Sequence, residues 1–362
     1  MTRLMFIGGF LGAGKTTLIG KTAELFAGKN QKVGIITNDQ ASELVDTALL
    51  RCGGNETAEV SGSCFCCNFP ALEAAVESFL EKKVSVILAE PVGSCTDISA
   101  TVMQPSKDRL RGKVRLAPLS VVADPERLAA LLRNDMAGFL PSAVYILRKQ
   151  LEEADAILIN KKDLLSPATM ANLRHEAAKA FPEAKIYLIS AKTGDGVGEW
   201  LADMVLDGLS GTHLAEVDYD IYAEGEAALG WLNAEMKLTG DQVQWKPFAE
   251  RYLHLLSDTF ASKKAEIGHV KLLLMSDEGY LAGNITKTGE MPQFRGYLPD
   301  SGIATMTLNA RVQMLPDELQ AFAFDTLART CGDAVAFEVG TSNCLQPGRP
   351  NPTYRYDAVA FA

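Results

Sequence analysis

The chain has 362 residues, of which 47% are hydrophobic and 22% charged, a composition typical of folded proteins and not of disordered ones. Its formal net charge of −10, with 35 Lys and Arg against 45 Asp and Glu, argues against a nucleic-acid-binding protein, which needs a basic surface. The sequence has no apolar run long enough to span a membrane and no signal-peptide pattern, so we expect a cytoplasmic protein without a membrane partner.

The first 210 residues alternate short apolar runs with amphipathic stretches, which predicts an α/β domain with a mainly parallel sheet covered by helices. Strands are predicted at 4–7, 32–37, 84–89, 115–123, 156–160 and 185–190. Helices are predicted at 16–27, 71–81, 125–133, 167–180 and 198–209. Ligands of such sheets bind at the carboxyl ends of the strands, so we expect the functional residues to lie there.

The pattern changes near residue 210, where we place the boundary between a first domain, 1–210, and a second, 211–362. Beyond it, the order strand, helix, three strands, helix, strand predicts a smaller α+β domain. Four apolar residues between Met306 and Val312 alternate with polar ones, which predicts a strand with one buried face and one solvent-exposed face. With 12 Lys and Arg against 20 Asp and Glu, this domain would attract a basic partner or keep the protein in solution.

A glycine-rich motif links the first predicted strand to the first predicted helix. Residues 9–16, GFLGAGKT, match the phosphate-binding pattern G-x-x-x-x-G-K-[ST], which defines a P-loop in this context. Backbone N–H groups and the positive end of the helix would surround phosphate oxygens, Lys15 would add a charge, and Thr16 would offer a hydroxyl to Mg²⁺. The residues expected to bind the phosphates are Gly12, Ala13, Gly14, Lys15, Thr16 and Thr17.

Guanine is the base that the next motif favours. Asn160-Lys161-Lys162-Asp163 follows an apolar strand, and the Asp163 carboxylate can accept two hydrogen bonds that guanine offers and adenine does not. Asn160 would tie loops together, and the stem of Lys161 would cover the base. Ser190-Ala191-Lys192 ends the next strand, where a backbone N–H can meet the guanine carbonyl. These three motifs, in this order, predict GTP as the nucleotide.

Two acidic residues lie where a phosphate-bound Mg²⁺ is expected. Glu90 ends an apolar strand and is followed by Pro91-Val92-Gly93, so Glu90 would hold the ion while Gly93 senses the γ-phosphate. Asp39 ends the preceding strand and would reach the same ion. We assign phosphoryl transfer to Lys15, Thr16 and Glu90; the sequence identifies neither a residue that activates water nor an arginine finger.

Three of the seven cysteines are clustered as Cys64-Phe65-Cys66-Cys67, between the Asp39 and Glu90 segments. Thiolates are soft ligands for Zn²⁺ and other late transition metals, so Cys64, Cys66 and Cys67 are predicted to bind such an ion. A closed tetrahedral site would need a fourth donor: Cys95, Asp39 or a water. Two alternatives remain: inert core thiols, as we interpret Cys52, Cys331 and Cys344, and a redox pair that forms a disulfide.

Taken in order, GFLGAGKTT, CFCC, EPVG and NKKD resemble the CobW/HypB/UreG family of metal-handling GTPases, over the first 210 residues. The resemblance implies a P-loop GTPase with Mg²⁺ and GTP, and a C-terminal domain of the CobW type with a client-binding or regulatory role. It also implies that Cys64, Cys66 and Cys67 receive zinc, cobalt or nickel when GTP orders the neighbouring loops. The chain has no histidine-rich loop, which argues against metal storage.

These observations lead to one hypothesis with two alternatives. We expect a slow, partner-stimulated GTPase that couples its nucleotide state to metal binding and delivers the metal to a client metalloprotein or a corrinoid-pathway protein. A homodimer that forms with GTP is compatible with this. The alternatives are a GTP-dependent chaperone of a corrinoid or methyltransferase system that carries no metal, and a redox-regulated GTP-binding module.

Overall fold

A computed structural model of the chain describes residues 1–39, 44–52, 54–135, 139–205 and 210–360. The chain forms two compact units. The first comprises Met1–Gln40, Leu50–Gly225 and Arg349–Ala362, and the second comprises Ala41–Leu49 and Glu226–Gly348. The boundary that we place at 210/211 stays a prediction, and the neighbouring residues 206–209 lie outside the described part.

Strands of the first unit form a parallel sheet. Its strands are β1 (Thr2–Gly8), β2 (Val33–Asn38), β3 (Glu56–Val60), β4 (Val86–Glu90), β5 (Val114–Leu116), β6 (Ser120–Ala123), β7 (Ala156–Ile159) and β8 (Lys185–Leu188). Among the described residues, their order across the sheet is β3-β2-β4-β1-β6-β7-β8, and β5 pairs with β1. Every pair is parallel, so all the strands end at the same edge of the sheet.

Helices cover this sheet. They are α1 (Lys15–Ala27), α3 (Phe69–Glu81), α4 (Gln104–Arg109), α5 (Pro125–Leu132), α6 (Pro141–Glu152), α7 (Pro167–Ala180), α8 (Val197–Met204) and α9 (Tyr219–Ala227). The helix α2 (Val45–Cys52) begins in the segment Ala41–Leu49, which belongs to the second unit. A π-helical turn, Ser99–Met103, precedes α4, and a 3₁₀ turn, Lys162–Leu164, follows β7. The strands β4 and β7 are buried along their whole length, which explains why they read as uninterrupted apolar runs.

The second unit is an antiparallel sheet with two helices. Its strands are β9 (Gly230–Val243), β10 (Ile267–Ser276), β11 (Gly279–Ile285), β12 (Gln293–Tyr297), β13 (Ser301–Val312) and β14 (Val335–Leu345), and its helices are α10 (Trp245–Ser262) and α11 (Pro316–Cys331). The described strands have the order β12-β11-β10-β13-β9-β14. Alternate residues of β9, β10 and β13 form one core with the apolar faces of α10 and α11.

The predicted parallel sheet and the predicted α+β region are confirmed, but several elements differ in the first unit. The strand predicted at 115–123 is two strands, β5 and β6, interrupted around Pro118, which has no N–H to donate. The sequence patterns did not predict β3, α2, α4, α6 or α9. The helix predicted at 198–209 is α8 up to Met204, and residues 206–209 of the prediction lie outside the described residues.

In the second unit the prediction of three strands between the two helices is wrong, because the structure has four. The missed strand is β12, a short and largely exposed edge strand whose sequence QFRGY has no alternation. The prediction of a solvent-exposed polar face on β13 is also wrong, because Asn309 and Arg311 are each only 1% exposed. Asn309 accepts a hydrogen bond from the N–H of Val45, and the Arg311 guanidinium stacks on Trp231 and donates to Leu232.

No helix among the described residues is both long enough and apolar enough to span a membrane.

Candidate functional site

The candidate site residues lie along one edge of the parallel sheet. Because all strands of the sheet run in the same direction, the segments that follow them meet at this edge. Taken in spatial order, the cysteine motif follows β3, Asp39 follows β2, Glu90 ends β4, the glycine-rich loop follows β1, Asn160 follows β7 and Ser190 follows β8. Two groups result, a nucleotide-type site in the middle and a thiol cluster beside it.

The glycine-rich loop is built around buried polar side chains. Lys15 and Thr16 open α1 and are 7% and 8% exposed. The Thr16 hydroxyl donates to a carboxylate oxygen of Glu90 at 3.0 Å, and both residues are buried. Two oxygen donors thus lie together at the start of α1, which is the ligand chemistry that Mg²⁺ prefers. Gly12 and Ala13 lie in the loop before α1, Thr17 lies in the first turn of α1, and Ala13 is buried.

Gly93 approaches the loop closely. A Cβ atom at this position would lie 3.0 Å from Lys15 Nζ and 2.7 Å from a methyl carbon of Leu11. The backbone that follows Glu90 therefore passes directly beside the lysine that is expected to bind phosphate. Asp39 is 8% exposed and its N–H bonds the carbonyl of Val60, while residues 40–43, which follow it, lie outside the described part.

Asn160 connects the glycine-rich loop to the end of β8. Its amide nitrogen donates to the Ala13 carbonyl at 2.8 Å, and its amide oxygen accepts from the Ala191 N–H at 2.8 Å. A Cβ atom on Gly14 (φ 98°) would lie 2.4 Å from that amide nitrogen, so only glycine fits here. Asn160 is 3% exposed, so a buried side chain joins the glycine-rich loop to the segment after β8.

The remaining predicted base-binding residues surround the same loops. Asp163 is exposed, and one of its carboxylate oxygens accepts a hydrogen bond from the Ser190 hydroxyl at 2.6 Å. Lys161 adopts a left-handed backbone (φ 56°), and its ammonium lies 2.7 Å from the Asp124 carboxylate. Burial acts to raise the pKa of Asp124, but the charge and hydrogen bond of Lys161 together with Arg127 outweigh it, so the net pKa is lowered. Lys192 is exposed beyond them.

The thiols of Cys64, Cys66 and Cys67 form a compact cluster. Their sulfur atoms all lie within 4.8 Å of one another. The Sγ atom of Cys64 is 2.8 Å from that of Cys66 and 3.2 Å from that of Cys67. Cys64 and Cys66 are buried, and Cys67 is half-buried. One soft cation can therefore contact all three sulfur atoms.

The three thiols differ in acidity. Hydrogen bonding with Cys66 and Cys67 lowers the pKa of Cys64 well below its usual range. The hydrogen bond to Cys64 raises the pKa of Cys66, and it raises that of Cys67 to about 11. The lowest pKa of the cluster is therefore at Cys64.

Asn38, the last residue of β2, shapes the cysteine loop. Its amide nitrogen donates to the carbonyls of Val60 and Ser63, each at 2.8 Å, and its amide oxygen accepts from the Phe65 N–H at 2.8 Å. No sequence motif indicated a role for Asn38. The residue immediately before Asp39 thus holds the loop that presents the thiols.

A buried polar network, which sequence reasoning also missed, lies behind the segment that follows Glu90. Gln150 donates to the carbonyls of Gly93 and Cys95, at 3.0 and 2.8 Å. The Glu153 carboxyl accepts hydrogen bonds from the Thr96 hydroxyl and the Ser99 N–H. Burial raises the pKa of Glu153 to about 8, and the nearby Asp97 adds to this rise.

Residues 351–356 cross the cysteine cluster, and we call this segment the strap. The Asn351 N–H donates to the Cys67 sulfur at 3.3 Å, and the Thr353 N–H donates to the Cys66 carbonyl at 2.8 Å. Arg355 donates to the fully buried Asp97 at 2.8 Å. The strap contacts cysteines almost 300 residues earlier in the chain, so no local sequence signal could have revealed it.

Arg127 is a further residue that the motifs did not indicate. Its guanidinium donates to the Leu11 carbonyl inside the glycine-rich loop and lies over the rings of Phe10 and Phe139, at 5.5 and 5.2 Å from their centres. At 9% exposure it is a buried cation beside the loop.

Comparison with known proteins identifies relatives of this site. The sequence model of the CobW/HypB/UreG nucleotide-binding domain matches residues 3–188. The zinc chaperone YeiR of Escherichia coli is 32% identical over 177 residues, which cover 46% of this chain and 48% of that protein. The zinc-regulated GTPase metalloprotein activator 1 of Saccharomyces cerevisiae is 28% identical over 188 residues, which cover 46% and 43%.

The chain spans about half the length of the curated relatives it matches. Among solved structures, that of the hydrogenase maturation factor HypB from Archaeoglobus fulgidus matches with 22% identity and a TM-score of 0.40. That match covers 56% of this chain and 87% of the other.

Proposed function

Because the chain belongs to the CobW/HypB/UreG family, whose nucleotide-binding domain it matches over residues 3–188, we propose that it is a GTP-hydrolysing metallochaperone. In this proposal the nucleotide state controls how tightly Cys64, Cys66 and Cys67 hold a transition metal ion. The ion is the cargo, which a client protein receives. Zinc is the first candidate, because the matched relatives are named a zinc chaperone and a zinc-regulated activator; cobalt and nickel are the others.

The nucleotide part of the proposal rests on the residues around the glycine-rich loop. Thr16 and Glu90 supply the oxygen atoms for Mg²⁺, Lys15 and the backbone N–H groups of the loop face the phosphates, and Gly93 passes beside Lys15. In this proposal Asp163, whose carboxylate accepts a hydrogen bond from the Ser190 hydroxyl, accepts hydrogen bonds from guanine. Bound Mg²⁺ would offset the negative charge that develops on the phosphate oxygens.

One observation carries the link between nucleotide and metal: the two groups occupy neighbouring positions on the same sheet edge. Asn38 and Asp39 are consecutive residues, the first bonded to the cysteine loop and the second expected near Mg²⁺. A change at the nucleotide therefore reaches the thiols through one peptide unit. By thermodynamic reciprocity, if GTP tightens metal binding, the metal tightens GTP binding equally.

Metal titrations with GTP or GDP test this coupling. We expect Zn²⁺ to bind more tightly with GTP than with GDP by a factor of about 10, a coupling free energy of about 1.4 kcal/mol. Co²⁺ and Ni²⁺, titrated in the same way, identify the preferred cargo. The variant carrying Cys66→Ser and Cys67→Ser should lose this binding, whereas Cys331→Ser, a buried cysteine of α11, is the matched control and should keep it.

Equal zinc affinities in the two nucleotide states would contradict the proposal, as would undiminished binding in the double variant. A disulfide that forms among the three thiols in metal-free buffer and reversibly changes GTP affinity would instead support a redox-regulated module. Co-purification of a corrinoid-system protein that survives the double substitution would support a chaperone without metal transfer.

Hydrolysis should be slow without a partner. Charge stabilisation by Lys15, the backbone N–H groups and Mg²⁺ is available at the site, and we assign no residue to water activation. We therefore expect an intrinsic rate of about 10⁻⁴ to 10⁻² per second, which a client or regulator increases. Steady turnover hundreds of times faster by the isolated chain would refute this assignment.

The role of the second domain, 211–362, is part of the same proposal. It holds 12 Lys and Arg against 20 Asp and Glu, and we assign to it the recognition of the client or the regulation of the GTPase. The client is a metalloprotein or a protein of a corrinoid pathway, and a GTP-dependent homodimer is the arrangement to test first. Sedimentation of the protein with GTP and with GDP tests directly whether this homodimer forms.

A further inference from the structure

The cysteine motif supplies three sulfur donors, which leaves a tetrahedral ion one ligand short. Zinc bound mainly by thiolates is almost always four-coordinate, and closed sites have four protein ligands. The cluster of Cys64, Cys66 and Cys67 lies within 4.8 Å, and the identity of the fourth donor decides whether the cargo is held or exchangeable. The following inference rests on the proposed metallochaperone function and deepens it.

A fourth thiol reaches the cluster from a different segment. Cys95 is 3% exposed, and its side chain hydrogen-bonds those of Cys64 and Cys66. Its sulfur is not among the three that all lie within 4.8 Å of one another, so a site of four thiolates requires the Cys95 segment to move closer to Cys67. It lies five residues after Glu90 and two after Gly93, in the segment that follows β4. We propose that Cys95 is the fourth thiolate ligand of the cargo ion, so that the metal site is built from the cysteine loop and the nucleotide-facing segment together.

The backbone of Cys95 is held in a defined position. Its N–H donates to the Val92 carbonyl at 2.9 Å, and its carbonyl accepts from Gln150 at 2.8 Å. The same Gln150 nitrogen donates to Gly93 at 3.0 Å. Because one Gln150 nitrogen donates hydrogen bonds to both carbonyls, we expect a displacement of Gly93 to move Cys95 as well.

The strap joins the two halves of this four-cysteine site. Asn351 and Thr353 bond the cysteine loop, and Arg355 bonds Asp97, which lies two residues after Cys95. The Tyr219 hydroxyl donates to the same Asp97 oxygen at 2.7 Å. A six-residue segment therefore fixes both the cysteine loop and the Cys95 segment, which a site made of both requires.

This arrangement gives the nucleotide a direct way to act on the cargo. Gly93 is beside Lys15, so a γ-phosphate there fixes the position of Gly93 and, through Gln150, of Cys95. With GTP bound, four thiolates hold the ion. When the segment shifts after hydrolysis, the bond between the metal and the Cys95 sulfur breaks, the thiolate takes a proton from water, and a ligand of the client occupies the vacated position.

Metal binding by the full-length Cys95→Ser variant tests the proposal. We expect the variant to bind Zn²⁺ at least about tenfold more weakly than the unchanged chain with GTP present. Its ratio of affinities with GTP and with GDP should fall towards one. With Co²⁺, the sulfur-to-metal charge-transfer absorption should fall by about a quarter, the share of one thiolate in four. Cys331→Ser, also a buried cysteine, should change none of these readouts.

X-ray absorption of the zinc-loaded, GTP-bound unchanged chain provides a measurement that needs no variant. Four sulfur atoms around zinc are expected, and three sulfur atoms with one oxygen or nitrogen would overturn the proposal. So would a Cys95→Ser protein with unchanged zinc affinity and an unchanged cobalt spectrum. In that case loss of binding in the Cys66→Ser, Cys67→Ser variant would still uphold the metallochaperone function, so the two failures are distinguishable.

Discussion

At the scale of single residues, side chains that belong to contiguous motifs are the ones that the sequence could predict. Lys15, Thr16 and Asn160 lie in short patterns whose spacing is set by the phosphates and the base, so each pattern implies its own chemistry. Arg127 and Glu153 belong to no such pattern. Their positions beside the glycine-rich loop and behind the Glu90 segment arise from packing between segments that are far apart in the chain.

The pKa of Glu153 leads to a prediction about stability. Because burial raises this pKa to about 8 from an ordinary value of 4.5, the folded protein holds a proton that the unfolded chain releases between these pH values. Its contribution to the free energy of unfolding is therefore full below about pH 4.5 and declines as the pH rises towards 8. Glu153→Gln, which mimics the protonated form, should be more stable than the unchanged chain at pH 8, by about 1 to 3 kcal/mol.

Urea unfolding at pH 5, 6, 7 and 8 measures this difference. The gap between the two proteins should widen steadily with pH, and Glu152→Gln, the exposed neighbour that pairs with Lys149, is the control and should show no such trend. A constant gap, or one that narrows with pH, would mean that Glu153 is ionised in the folded protein.

At the scale of elements, predictions succeeded where burial dominates and failed where contacts between segments decide. The buried strands β1, β4 and β7 were found because their apolar runs leave little choice of structure. The edge strands β3 and β12 were missed, since ETAEV and QFRGY have no apolar pattern to read. On β13, the polar residues lie inside because partners from other segments satisfy them, which alternation within one strand cannot reveal.

The strap is the element whose removal should affect the metal most directly. Arg355→Ala deletes the guanidinium that bonds Asp97, so the strap loses its anchor on the Cys95 side of the cluster. We expect zinc to pass to an excess of a chromophoric chelator about tenfold faster than from the unchanged chain. Stopped-flow absorbance of the chelator measures this rate.

Arg349→Ala is the matched control for that experiment. Arg349 precedes the strap and forms an exposed ion pair with Asp220 at 2.8 Å, with no contact to the cysteine loop among the described interactions. Its removal should leave the transfer rate unchanged. Equal acceleration in both variants would assign the effect to the net charge of the segment, and no acceleration in Arg355→Ala would remove the strap from the metal site.

At the scale of the whole molecule, each of the two units has its own hydrophobic core. The nucleotide residues belong to the first unit, so GTP with Mg²⁺ should stabilise that unit alone. At about 100 times the dissociation constant, the gain is about 2.7 kcal/mol, which raises the melting temperature of the first unit by roughly 5 to 10 °C. The transition of the second unit should not move.

Differential scanning calorimetry separates these transitions. ATP with Mg²⁺ at the same concentration is the control and should produce no shift, because adenine cannot donate the hydrogen bonds that Asp163 accepts. Equal shifts of both transitions with GTP would show that the two units unfold as one cooperative body.

The strap also has a consequence for how the chain folds. Its contacts with Cys67 close a loop of 284 residues, and contacts of such long range form late, after the local structure around them. The cost of closing the loop grows only with the logarithm of its length, so the anchors at Asp97 and the cysteine loop can still hold it once formed. Until this contact forms, the Cys67 thiol lacks the hydrogen bond from the Asn351 N–H. We therefore expect refolding from denaturant to need a reductant, a requirement that disappears once residues 351–356 are in place.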